Sequence, residues 1–494
     1  MPRGALPRAW LAVAALALSS CAPGAAPSRS ATPFRAALEG CRLEGLGRPA
    51  LCGTLEVPED RDEPAGRRIG LHVVVVPARA SRAAPDPIFL LAGGPGQAIT
   101  RVGGGIVGLL DELRRDRDFV LVDQRGTGDS HALRCEGEER LDAAAALRPE
   151  LVMEEEVEAC LGALEADPRE YVTEAFVTDL DEVRNALGYE TINLWGGSYG
   201  TRAALAYMRR HSDRVRSAVL DGVAPPTMAI PLFAARDAER ALDRVFESCA
   251  GEAKCAEAYP ELEAELRGLL VSLDERPAEA RVSHPRTGEI LELTITRDLF
   301  ASGVRGLLYS PDVSSLLPLL VRRAREADYS TFVTAVLAFA ESAEEAITPG
   351  LMLSVLCAED LPRVGPERAE TEHADTFLGD AMLRPFREAC ALWPHGAPAP
   401  DAAEPVSSDV PTLLLSGELD PITPPAWGEE AAAHLARSRH VVVTGAGHGV
   451  TAVSCVPDLI ADFVKSGDAT SLDTTCLEGW ERPPFFLDYA GPAP

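Results

Sequence analysis

Lysine is nearly missing from this chain of 494 residues: Lys254 and Lys465 are the only two, and every other basic residue is arginine. Neither follows a glycine-rich loop, which excludes a P-loop nucleotide machine. Aromatic residues are scarce at 5%, too few to suggest a base-stacking surface. Positive charge is short overall, 47 Lys and Arg against 76 Asp and Glu, for a net charge of −29. A body that acidic repels phosphate backbones, so nucleic acid is excluded as a partner. No Cys-x-x-Cys and no Cys/His cluster with zinc spacing occurs, so no metal site and no cofactor are expected. Internal repeats and long low-complexity tracts are absent too. What remains is ordinary: 46% apolar and 25% charged residues mark a globular chain, long enough for a full core plus a second domain.

The opening segment reads as an export signal, with Arg3 and Arg8, an apolar run over 9–18, and small residues after it. The run is too short to cross a bilayer as a helix. It ends in Leu18-Ser19-Ser20-Cys21, which resembles the bacterial lipobox. That resemblance implies cleavage before Cys21, lipidation of its thiol and acylation of the new amine. Buried acyl methylenes contribute about 0.8 kcal/mol each, so the mature protein would stay on an envelope membrane. The alternative is an ordinary signal peptide with Cys21 incidental. Ten cysteines then remain, an even number for an oxidising compartment. Sequential pairing is the simplest pattern: Cys41/Cys52, Cys135/Cys160, Cys249/Cys255, Cys357/Cys390 and Cys455/Cys476.

Short β-branched or leucine-rich runs at 71–76, 87–91, 119–122, 191–195, 215–220, 412–415 and 440–443 predict strands. They alternate with helical stretches such as Phe176, Leu180, Val183 and Leu187, which ends at Gly188. This is an α/β pattern, a mostly parallel sheet flanked by helices. Between Pro226 and Pro405 strand runs nearly vanish, apart from 290–295, and helical spacing dominates. The expected organisation is therefore a signal peptide over 1–20, a tether over 21–37, a core over 38–225, an inserted helical cap over 226–405 and the rest of the core over 406–494. Ligands of open α/β sheets bind at the carboxyl ends of the strands, so the cap should roof the site.

Gly196-Gly197-Ser198-Tyr199-Gly200 follows one expected strand and precedes a helix, the context of a G-x-S-x-G nucleophile elbow. A serine hydroxyl needs a base, and the base needs an orienting carboxylate. The best acid after Ser198 is Asp420, in Gly417-Glu418-Leu419-Asp420-Pro421; the best histidine is His448, in Gly445-Ala446-Gly447-His448-Gly449. Asp221 and Glu418 are rival acids, and His211, His434 and His440 are weaker bases. Oxyanion stabilisation needs two backbone N–H groups. Tyr199 supplies one, and Gly94 in Gly93-Gly94-Pro95-Gly96 the other.

Together with Asp123-Gln124-Arg125-Gly126-Thr127-Gly128-Asp129-Ser130, these motifs resemble the α/β-hydrolases of the prolyl iminopeptidase and tripeptidyl aminopeptidase group over about residues 40–460. Ala92 stands where prolyl iminopeptidases carry histidine before Gly-Gly-Pro-Gly, which points to the secreted tripeptidyl aminopeptidase-like branch. Asp123 and Arg125 read as scaffold. The resemblance implies hydrolysis of peptides near a free N-terminus, and Glu359 and Asp360 are the candidates to hold the substrate ammonium. The expectation is an exported, lipid-anchored serine peptidase with a peptide substrate. A carboxylic ester hydrolase or lactonase using the same residues is the alternative, and a non-catalytic envelope binding protein a third.

Overall fold

The computed structural model describes residues 32–134, 154–344 and 347–492. The expected signal segment, Cys21, most of the tether, and Cys135 lie outside the described residues. The chain is anchored from Thr32 onward. Its hydroxyl donates to Ala186 O, and Arg35 pairs with Asp118 at 2.7 Å beside Tyr189.

Eleven strands are present among the described residues: β1 (Glu39–Arg42), β2 (Pro49–Pro58), β3 (Arg68–Val76), β4 (Ile88–Leu91), β5 (Phe119–Val122), β6 (Ile192–Gly197), β7 (Val215–Asp221), β8 (Ala278–Ser283), β9 (Ile290–Ile295), β10 (Thr412–Gly417) and β11 (Ser438–Val443). Nine form one sheet in the order β1-β2-β3-β5-β4-β6-β7-β10-β11. The pairs from β5 to β11 are parallel, and β1, β2 and β3 extend the sheet antiparallel. The central strands β4 and β5 are buried at every position, as expected where helices cover both faces. Val73 and Val75 point into the core beneath helices Thr173–Ala186 and Tyr199–His211. Val74 and Val76 point into the opposite core, with Val107 and Phe463 of helices Ile99–Leu109 and Val456–Ser466. The two-residue period of a strand makes that division.

The strand patterns missed β1, β2 and β8. β2 is bounded by Pro49 and Pro58 and interrupted by Gly53, residues that lower strand propensity. β8 reads Ala-Glu-Ala-Arg-Val-Ser, a helix-like composition, and is a strand because β9 pairs with it over its full length. Here tertiary pairing outweighs local preference.

Between β7 and β10 the described residues add no strand to the large sheet. It builds helices from Ile230–Gly251 to Leu383–Leu392, plus the β8–β9 hairpin, around a core of its own that includes Leu242, Leu266, Phe300, Leu320 and Phe332. Phe485, far along the chain, completes that core with no exposed surface. Its neighbours are tied in as well: Tyr259 Oη donates to Phe486 O and Leu487 O, and Phe486 N donates to Ser315 O. Disulfides join Cys41–Cys52, Cys249–Cys255, Cys357–Cys390 and Cys455–Cys476, four of the expected neighbours. Cys160 is disulfide-bonded as well.

Candidate active site

Ser198, Asp420, His448 and the Gly93-Gly94 turn all follow carboxyl ends of parallel strands, so the sheet delivers them to one edge. Ser198 has φ +54° and ψ −125°, a left-handed conformation that costs a non-glycine residue about 1–3 kcal/mol. Its flanking glycines are sterically required. A Cβ on Gly196 would lie 2.4 Å from Gly200 O, and one on Gly200 would lie 2.2 Å from Leu91 O. Ser198 N donates to Asp221 O at 2.9 Å, and Thr201 N to Ser198 O at 2.9 Å, pinning both sides of the turn.

Asp420 is fully buried, and its carboxylate accepts four hydrogen bonds. Oδ1 takes the N–H groups of Ile422 and Thr423, both at 2.8 Å; Oδ2 takes Thr423 Oγ1 at 2.8 Å and meets His448 Nδ1 at 2.8 Å. Burial works against the Asp420 charge. The nearby imidazole and these donors outweigh it and hold the carboxyl below its ordinary range. For His448, burial favours the neutral ring, yet the Asp420 charge and hydrogen bond, with Asp221 behind, raise it above its ordinary value. Thr423 Oγ1 also lies 3.1 Å from His448 Nδ1, a contact the sequence analysis missed although the Asp-Pro-Ile-Thr spacing suits a side-chain turn.

The rival acids are engaged elsewhere. Asp221 accepts the N–H groups of Val450 and Thr451 and the Thr451 hydroxyl, so it fixes the backbone beyond His448 rather than the imidazole. Glu418 accepts Gly445 N at 2.9 Å, and His440 Nε2 meets Ser416 Oγ. The His448 ring rests on Gly222, where an added Cβ would lie 3.1 Å from Cε1. Serine and imidazole thus flank one dipeptide, Asp221-Gly222. The Ser198 hydroxyl itself has no hydrogen-bond partner among the described residues.

The Gly93-Gly94 turn packs against the serine, with an added Gly93 Cβ 3.0 Å from Ser198 Cβ. Gly93 N is taken by Gln97 Oε1 at 3.3 Å. The amides of Gly94 and Tyr199 donate to no described group. Behind the turn, Asp123 accepts Thr100 N and Thr100 Oγ1, capping the helix that follows. Arg125, fully buried, makes a bidentate pair with Asp179 and donates to Glu59 O. Both residues hold the loops from behind.

Glu359 and Asp360 lie together on a short π-helical turn, but in different surroundings. Asp360 is held by Arg202 at 3.0 Å and Arg363 at 2.7 Å. Glu359 accepts Thr173 N at 2.7 Å and Thr173 Oγ1 at 2.9 Å, and burial raises its carboxyl despite Arg202 nearby. It lines a shallow surface pocket with Thr173, Arg202 and Arg209, which Ser198 does not reach. Thr173 Oγ1 meets Tyr199 Oη at 2.7 Å, linking Glu359 to the residue after the serine.

The insertion touches the site through Tyr309, which no motif announced. His448 N donates to Tyr309 O at 2.9 Å, and the two rings meet edge-on at 5.4 Å. Gly447 permits this approach, since a Cβ there would lie 2.2 Å from Tyr309 O. Among the described residues no cluster of His, Cys, Asp or Glu could hold a metal ion, and no helix is long and apolar enough to cross a membrane.

The chain is 26% identical over 486 residues to "Serine protease Hip1" of Mycobacterium tuberculosis, covering 90% of each chain. It is 28% identical over 469 residues to "Carboxylesterase B" of the same organism, covering 87% of this chain and 86% of that one. A solved structure of proline iminopeptidase from Mycobacterium smegmatis matches at 17% identity and a TM-score of 0.39, covering 85% of this chain and 100% of that one. A family model described as "alpha/beta hydrolase fold" matches residues 86–451. With strand order, elbow and strand-end loops all in hand, the chain belongs to the alpha/beta hydrolase fold family.

Proposed function

We propose that this protein is an exported serine hydrolase that cleaves peptides near a free N-terminus. The observation that carries the chemistry is the buried Asp420–His448 hydrogen bond at the strand ends beside the Ser198 elbow. In this reading the Ser198 hydroxyl turns onto His448 Nε2 and attacks the carbonyl carbon as the imidazole takes its proton. The resulting imidazolium is held by Asp420, and the oxyanion by the Gly94 and Tyr199 amides. His448 returns the proton to the leaving amine, and water resolves the acyl-enzyme by the same steps. Hydrogen bonds of this kind are often incomplete before substrate binds.

The peptidase half of the reading draws on the serine protease relative and on "Tripeptidyl aminopeptidase" of Streptomyces lividans, 27% identical over 38% of each chain. Of the two acids expected to hold the substrate ammonium, Asp360 is occupied by Arg202 and Arg363 and Glu359 by Thr173, in a pocket that Ser198 does not line, so neither is assigned the role. The carboxylesterase relative supports ester hydrolysis with the same residues as the second reading. Export is supported by the disulfides, and anchoring through lipidated Cys21 is proposed with it; Cys21→Ala should release the protein from membranes.

The deciding assay compares aminoacyl and tripeptidyl amides, their N-acetylated forms and short-chain nitrophenyl esters. Turnover abolished by acetylation supports the aminopeptidase. Ester turnover without amide turnover selects the esterase. No turnover, with Ser198 inert to a fluorophosphonate, leaves a binding protein.

A further inference from the structure

Most arginines near the site are already engaged. Arg125 is paired with Asp179, Arg202 and Arg363 with Asp360, and Arg240 donates to the carbonyls of Glu418 and Asp420. Arg305 differs. It lies in the last turn of helix Arg297–Leu307 of the insertion, half-buried, with its guanidinium carbon 5.6 Å above the Tyr309 ring. Its Nε is buried without a hydrogen-bond partner, as are those of Arg202 and Arg240, but unlike theirs its other guanidinium nitrogens meet no carboxylate or carbonyl among the described residues. Tyr309 is the residue whose carbonyl holds His448 N and whose ring meets the imidazole.

A guanidinium nitrogen buried without a partner is costly, and the planar fork matches a carboxylate in two parallel hydrogen bonds. The chain has many acids to spare, yet none among the described residues pairs with it. Position indicates which end of a substrate arrives. The imidazole hands its proton to the leaving group, so charge nearest His448 is nearest the leaving side. The two ring contacts place the guanidinium within two to three extended residues of the imidazole, at about 3.5 Å per residue. We infer that Arg305 binds a carboxylate on the leaving side of the substrate, selecting short peptides whose free C-terminus lies one to three residues beyond the scissile bond. The inference rests on the peptidase reading. It also bears on turnover, since the unpaired Arg305 charge opposes the His448 imidazolium, and an arriving carboxylate cancels that repulsion.

The test uses the full chain and one short peptide made as the free acid and as the C-terminal amide. Wild type should cleave the acid at least about tenfold faster in kcat/KM, the size of one charge-assisted hydrogen bond. Arg305→Gln should bring the ratio near one, and Arg305→Lys should keep part of it. An equal rate for acid and amide in wild type overturns the inference without any variant. So does a ratio that survives Arg305→Gln. If no peptide is cleaved but neutral nitrophenyl esters are, the peptidase reading fails separately. Aryl esters bearing a carboxylate or a carboxamide on the leaving phenol then decide Arg305 by the same ratio.

Discussion

The two halves of the site are built differently. On the acid–histidine side the carboxylate and the ring's Nδ1 face are engaged: Asp420 accepts from two amides and a hydroxyl besides the imidazole, and His448 is gripped through its backbone by Tyr309 O. On the serine side the hydroxyl and the Gly94 and Tyr199 amides have no partner among the described residues, although the backbone that carries them is fixed by close glycine contacts. On the proposed mechanism, proton handling is set in advance, while the groups that would meet the reacting carbonyl are left for substrate to satisfy. Such preorganisation means that little reorganisation is needed when charge develops.

Four substitutions test this contrast. Ser198→Ala should lower kcat by about a million-fold while leaving the Asp420–His448 bond intact; steady-state kinetics with a matched thermal melt checks both. Asp420→Asn should cost about ten-thousand-fold and move the pH profile. The base must be neutral, so activity rises with pH through the His448 pKa. In wild type that limb lies above the ordinary histidine value, raised by Asp420. Without the carboxylate, burial prevails and the limb moves to lower pH. A limb that stays in place would show that Asp420 does not set it. Gly200→Ala drives a Cβ into Leu91 O and shifts the open half against the fixed one. The expected result is about a hundredfold loss of kcat from misplacement and about 1–3 kcal/mol of stability by denaturant titration. Thr423→Val removes one donor from Asp420, and kcat/KM should fall about tenfold.

What was legible from sequence follows the same division. The glycines around Ser198 can be read because sterics leave no other residue there. The central strands can be read because burial on both faces forces continuous apolar runs. Choosing Asp420 over Asp221 was only a preference from sequence, since both follow strands; the hydrogen bonds of Val450 and Thr451 to Asp221 separate them. Tyr309 and Arg305 were not legible. Their place depends on how the insertion packs back onto the His448 loop, and nothing local in Arg305-Gly306-Leu307-Leu308-Tyr309 encodes that. β8 was hidden for the same reason, its partner strand rather than its composition deciding its form.

Phe485 sits in the interior built by residues some 110 to 250 positions earlier. During synthesis, or on emergence from an export channel, the helical insertion must therefore wait with an unfilled hole until the last stretch of chain arrives. Nascent or clipped forms ending before that stretch would expose apolar surface and be ready targets for chaperones and proteases.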